Sequence, residues 1–268
     1  MALLHVDFFS DVLGMSMNMD VILPQQTNGQ IGMEGKGASG KYKTMYLLHG
    51  MSDDQTIWQR RTSIERYVSR LGIAVVMPTT HLGFYTDTTY GMNYWTFFSR
   101  ELPGICREFF PQMSDRPEDT LAAGLSMGGY GAWKLGLGAS DTFGSAASLS
   151  GALDIVSDYK RNVTENAGHL PLFQGIFGSP EQLEGSENDI LELADRLAAS
   201  QKPLPRLYAW CGTEDFLYQG NLRAWEHVKK LGYDLTSLES PGDHQWKYWD
   251  QRIQDVLRWW LRTDLDLA

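Results

Sequence analysis

Apolar residues run from Leu3 to Phe9 and again from Met15 to Leu23, separated by the polar turn Ser10-Asp-Val-Leu-Gly14. This predicts two antiparallel strands opening the fold. In the second, Met15, Met17, Met19 and Val21 recur at period two, so one face packs against a core; a methionine stripe also suits a pliable binding surface, but strand period favours packing. Gln25 to Lys41 is rich in Gly, Gln, Asn and Ser and predicts a long turn. Met45–His49 and Ile73–Met77, the latter stopped by Pro78, read as buried parallel strands, with a helix over 56–71 between them. Trp95, Phe98, Leu102, Ile105 and Phe109 have the spacing of an amphipathic helix, kinked near Pro103. A strand over 120–125 leads into a helix that carries Trp133, Leu135 and Leu137, and Ser145–Ser150 reads as a further buried strand. The pattern then changes. Residues 151–180 lack strong periodicity and contain Gly168, Pro171, Gly175, Gly178 and Pro180, while 188–199 is helical. Two more strands, Pro205–Cys211 and Asp234–Glu239, alternate with helices over 219–231 and 245–262. Eight strands, with helices between them from the third onward, predict an α/β architecture with a mostly parallel sheet.

Residues 1–268 read as one domain, with 151–200 inserted over the C-terminal edge of the sheet as a small cap or lid. Leu170, Leu172, Phe173, Ile176 and Phe177 form its apolar underside, a local core or a contact in a homo-oligomer. Under the lid reading, deleting this segment alters substrate preference more than stability.

Hydrophobic residues at 43% and aromatics at 12% supply a core of ordinary size. A formal charge of −10 and a pI near 5.0 oppose binding to nucleic acid or to anionic membrane surfaces. Met1–Ser10 lacks the basic and apolar regions of a secretory leader, and no run of about 18 apolar residues could span a bilayer. The expected location is therefore cytoplasmic. Cys106 and Cys211 stand far apart without metal-ligand spacing, so neither a disulfide framework nor a metal site is expected.

Gly124-Leu-Ser-Met-Gly128 follows the predicted fifth strand and opens a helix. This is a G-x-S-x-G elbow, in which glycines allow the strand and helix to approach while Ser126 stands above the sheet. The pattern alone is weak, since a Gly-rich turn also serves packing. A serine nucleophile needs an imidazole to take its proton and a carboxylate to orient the imidazole. Asp215 and His244 follow later predicted strands, giving the chain order Ser, acid, His. Glu214 and Asp243 compete with Asp215, because sequence cannot show which turn residue reaches the ring. The strand ending in His49-Gly50 offers the Met51 amide as an oxyanion donor, with His49 positioning the loop. His81, Phe84, Tyr85 and Asp87 lie after a strand end where open α/β sheets place ligands, and are candidate substrate contacts together with Phe173 and Phe177. A self-packed surface loop explains the first four as well.

His5-Val-Asp-Phe-Phe-Ser10, Leu47-Leu-His-Gly-Met51, Gly124-Leu-Ser-Met-Gly-Gly129, Cys211-Gly-Thr-Glu-Asp-Phe-Leu-Tyr218 and Gly242-Asp-His-Gln-Trp246 resemble the esterase D-like branch of the α/β-hydrolases, most closely the small bacterial tributyrin esterases. The resemblance runs nearly the whole chain. It implies the α/β-hydrolase fold, a carboxylesterase for short acyl chains acting on a small-molecule ester, Ser126, Asp215 and His244 as triad, the amides of Met51 and Met127 as oxyanion hole, and no cofactor. S-formylglutathione hydrolases resemble the chain in plan but usually carry His before the nucleophile, where Leu125 stands here. Feruloyl and acetylxylan esterases and mycolyl-transferring relatives share the Ser-Met-Gly elbow. Deacylation of carbohydrate esters, acyl transfer and an idle binding protein on the same fold are the alternatives.

Overall fold

The computed structural model describes residues 1–165, 168–264 and 266–267. The opening hairpin is β1 (Ala2–Ser10) and β2 (Met15–Leu23), antiparallel from Ala2 opposite Leu23 to Ser10 opposite Met15. After the long turn come β3 (Thr44–Leu48), the short helices α1 (Ile57–Arg61) and α2 (Ile64–Val68), and β4 (Ala74–Pro78). The single helix expected over 56–71 is two, because Thr62 is extended (φ −137°, ψ 173°). The next helical stretch is α3 (Tyr94–Thr96), a π-helical segment (Phe97–Glu101) and α4 (Leu102–Phe109). Pro103 has no N–H to donate, and the stretch changes its hydrogen-bond pitch in the residues before it.

β5 (Thr120–Leu125), α5 (Met127–Gly138) and β6 (Ser145–Leu149) form the centre. The stretch without strong periodicity holds α6 (Ile155–Thr164), α7 (Leu170–Phe177) and α8 (Pro180–Leu183), followed by α9 (Ile190–Ala198). Pro171 stands in the first turn of α7 and Gly178, at φ 76°, stops it, the usual places for these residues. β7 (Arg206–Gly212), α10 (Tyr218–Lys230), β8 (Leu235–Ser240) and α11 (Trp246–Leu261) complete the described chain.

The strand order is β1-β2-β4-β3-β5-β6-β7-β8. β2 pairs antiparallel with β1 and β4, and β4, β3, β5, β6, β7 and β8 run parallel. One apolar cluster, on the side of α5 and α9, includes Met17, Met19, Leu48, Trp133 and Tyr159. A second, on the side of α1, α2 and α11, includes Ile22, Leu47, Trp58, Leu125 and Trp210. The sheet is thus covered on both faces, as its continuous apolar strands require. Phe173, Ile176, Phe177, Leu183 and Ile190 are buried members of the first cluster, so the underside of the insertion is part of the core. Among the described residues no helix is long and apolar enough to cross a membrane.

Candidate active site

The chain reverses direction at a single residue between β5 and α5. Ser126 has φ 52° and ψ −118°, a conformation that strains an L residue by roughly 1–3 kcal/mol. Ser126 N donates to Leu149 O (3.0 Å), while Ser126 O accepts from Tyr130 N (3.1 Å) and Ala152 N (3.3 Å). These bonds hold the elbow. A Cβ on Gly128 would lie 2.5 Å from Leu48 O and 2.6 Å from His49 O, and one on Gly124 would lie 2.5 Å from Gly128 O. Only glycine admits this approach, which brings the start of α5 against the residues leading into Met51. Met127, the first residue of α5, carries one of the amides that a helix start leaves without an intrahelical acceptor.

His49 is fully buried. Burial pushes its pKa down to about 4, so the ring is neutral at pH 7. Its Nδ1 lies 2.7 Å from Gly50 O and therefore carries the proton, and its Nε2 accepts from Thr80 N at 3.0 Å. Tyr85 Oη donates to His49 O at 2.9 Å. The histidine thus ties the Gly50–Met51 turn to the loop after β4, a positioning role.

His244 and Asp215 meet from the turns after β8 and β7. His244 Nδ1 donates to Asp215 Oδ2 at 2.8 Å, and Leu217 N donates to Asp215 Oδ1 at 2.9 Å. The Asp215 side chain is fully buried, whereas that of His244 is 20% exposed. The rival carboxylates are engaged elsewhere. Glu214 accepts from Gly242 N and from Thr213 Oγ1, fastening the two turns together, and Asp243 accepts from Gln245 Nε2 at 2.6 Å. Ser126 Oγ makes no hydrogen bond to His244 among the described residues, and catalytic bonds are often long before substrate binds.

Two aromatic residues enclose the imidazole, and the sequence reading had given neither of them a role. The Phe216 ring lies 4.6 Å from the His244 ring at 47°, and Trp249 meets it edge-on at 4.8 Å and 83°. Trp249 Nε1 donates to Ser150 Oγ at 3.2 Å, so the terminal helix is fastened to the strand end beside the elbow. Phe216 directly follows Asp215 in sequence, but nothing in the chain alone gives the direction of its ring.

The candidate substrate contacts separate. His81 is exposed, with Nδ1 3.1 Å from Tyr94 Oη. Asp87 accepts from Thr96 N (2.9 Å) and Thr96 Oγ1 (2.7 Å), fastening the loop to the helical stretch that follows it. Phe84, Tyr85, Phe173 and Phe177 are buried, and the Phe84 ring packs on Phe173 and Phe177 at 5.4 and 5.5 Å. Phe84 thus packs under the insertion's Phe173 and Phe177, while Tyr85 packs on Phe98 at 4.7 Å, and their large apolar area is withdrawn from water. Leu125 is likewise buried, on the opposite face of the sheet.

One surface cavity of about 490 Å³, lined by Met33, Arg66, Tyr67 and Arg70 among others, holds neither serine elbow nor imidazole. Among the described residues no group of three or more His, Cys, Asp or Glu side chains is arranged to hold a metal ion.

The model of the family described as Putative esterase matches residues 10–260. An acetyl esterase of Caldicellulosiruptor saccharolyticus is 30% identical over 262 residues, which span 97% of this chain and 98% of that protein. Among solved structures, the fluorophosphonate-binding serine hydrolase FphF of Staphylococcus aureus matches with a TM-score of 0.84 at 33% identity, covering 97% of this chain and 98% of its own. The S-formylglutathione hydrolase FrmB of the same organism matches with a TM-score of 0.82, also at 33% identity and the same coverage. The eight-stranded sheet and its helices are the α/β-hydrolase fold that these serine hydrolases share.

Proposed function

Because the chain belongs to this esterase family, we propose that it is a serine carboxylesterase for short-chain acyl esters, with Ser126 as nucleophile, His244 as general base and Asp215 as its orienting acid. The observation that carries the reading is a strained serine at the strand-to-helix turn, in the same chain as a buried carboxylate 2.8 Å from an imidazole. With Nδ1 engaged by Asp215, His244 Nε2 takes the Ser126 proton as Oγ attacks the ester carbonyl. The amides of Met51 and Met127 receive the oxyanion that forms, the interaction that contributes most to lowering such barriers. His244 returns the proton to the departing alkoxide, leaving an acyl-serine, and then activates water to release the acid. Residues 1–268 act as one α/β-hydrolase domain, with 151–200 as a cap seated on the core, and tributyrin belongs among the substrates.

Hydrolysis of p-nitrophenyl esters from acetate to laurate, by the wild type and by Ser126→Ala, tests this. The expected result is a maximum at short acyl chains and a loss on the order of 10⁶ in kcat for the alanine variant. Activity that survives the substitution overturns the assignment of Ser126. The similarity to FrmB favours a second reading, hydrolysis of the thioester S-formylglutathione, which uses the same steps with a thiolate leaving group. A kcat/KM for S-formylglutathione well above that for p-nitrophenyl acetate would make the thioester the substrate of choice.

A further inference from the structure

Two adjacent acids follow the Met51 turn, and they differ in what holds them. Asp54 Oδ1 accepts from Thr56 N (2.9 Å) and Thr56 Oγ1 (2.6 Å). Asp53, half-buried, has no hydrogen bond or ion pair on its carboxylate among the described residues. A Cβ placed on Gly50 would lie 3.5 Å from Asp53 Oδ2 and 3.6 Å from Ser126 Cβ, so the carboxylate oxygen and the serine side chain flank the same glycine. Burial and the neighbouring Asp54 raise its pKa to about 6, with Arg61 and Arg60 acting in the opposite sense.

An ionised, unpartnered carboxylate beside the place where an oxyanion develops repels the transition state. For an ester without a donor it is a handicap. It becomes useful when the substrate supplies a donor, because a carboxylate acceptor makes the stronger class of hydrogen bond. A short acyl chain carries no donor, which leaves the alcohol half, and Arg60 and Arg61 nearby disfavour a cationic group there. Building on the proposed role of Ser126, we infer that Asp53 is a specificity-determining residue whose carboxylate accepts a hydrogen bond from a hydroxyl of the alcohol half, making polyol esters the favoured substrate class.

Monoacetylglycerol and propyl acetate share an acyl group and a primary alkyl leaving group and differ in their hydroxyls. Their kcat/KM values, followed by pH-stat at pH 8 for wild type, Asp53→Asn and Asp53→Ala, read the contact directly. The expected wild-type preference is for monoacetylglycerol. In Asp53→Ala that ester should slow on the order of tenfold while propyl acetate speeds up on the order of threefold; Asp53→Asn, which keeps a neutral acceptor, should fall between. Opposite signs on two matched esters are not produced by a general disturbance of the loop. A ratio between the two esters that neither substitution changes, or a wild type without preference, overturns the inference. If the wild type hydrolyses neither ester and a fluorophosphonate fails to label Ser126, the esterase reading itself is overturned and the inference falls with it.

Discussion

Lys134 and Asp53 are both charges withdrawn from water near the serine helix, and the fold treats them differently. Lys134 is fully buried on α5. Its Nζ donates to Asn188 Oδ1 (2.6 Å), Thr86 Oγ1 (3.0 Å) and Tyr85 O (3.3 Å), and it lies 4.8 Å from the Trp95 ring. It therefore joins the serine helix, the loop after β4 and the insertion. Asp53 receives nothing comparable. A buried charge that is fully partnered from within the chain is a fastening, because removing a partner leaves an exposed debt of desolvation. One that faces the site without a partner is available to a ligand. Burial alone does not separate structure from function; the direction and the completeness of the hydrogen bonding do.

Asp215 is where that distinction should fail, since it is fully partnered and yet is the proposed orienting acid. Asp215→Asn keeps the shape but favours the wrong tautomer of His244, and kcat should fall on the order of 10⁴, about 5.5 kcal/mol. Thermal melting should move far less than activity. A variant that unfolds, or one that loses less than tenfold in kcat, would return Asp215 to the class of fastenings.

The insertion sharpens the comparison from the other side. Phe173 is buried against Phe84, Tyr159 and Phe177, so Phe173→Ala should cost about 4 kcal/mol of stability. Denaturant unfolding measures this. A small loss, together with a changed acyl-chain preference, would mean that the segment is a lid resting on the core. Lys134→Met comes next, at about 3 kcal/mol, because three oxygens lose their donor; its KM and kcat for p-nitrophenyl acetate should stay near wild type if the lysine only fastens.

Much of this was legible in the sequence because the relevant forces are local. The elbow follows from Gly124 and Gly128 flanking Ser126, and the strands before β8 follow from short runs of apolar or small residues bounded by turn residues, whereas β8 (Leu235–Ser240) has only Leu235 and Leu238 as apolar residues. The helices of 155–177 have no strong periodicity to announce them, and Pro171 and Gly178, which stand in that stretch, are the start and the stop of α7. Asp215 could not be separated from Glu214 by sequence, since adjacent turn residues point differently and the choice depends on where Gly242 N stands. Phe84 and Tyr85 read as candidate cleft residues because their loop follows a strand end, but with backbones at φ 50° and 52° both are buried, Phe84 on Phe173 and Phe177 and Tyr85 on Phe98. Such backbone excursions are set by tertiary contacts that no local pattern announces.

The pH dependence of stability tests the same contrast, and there the two charges should act with opposite sign. Burial lowers the Lys134 pKa from 10.5 to about 7, so between those values the unfolded chain binds the extra proton and stability rises with pH. The Asp53 pKa is raised from 3.8 to about 6, so in that lower window the folded chain binds the extra proton and stability falls as pH rises. Partial exposure to water limits the Asp53 contribution to about 1 kcal/mol or less. Urea unfolding from pH 4 to 10 should therefore change slope in two windows. Asp53→Asn should remove the fall between about pH 4 and 6, and Lys134→Met the rise above about pH 7. If Lys134→Met leaves the upper limb in place, the three oxygen partners stabilise the ammonium enough to cancel its desolvation. Lys134 would then be a charged fastening at every pH, and the contrast with Asp53 would be wider than burial alone implies.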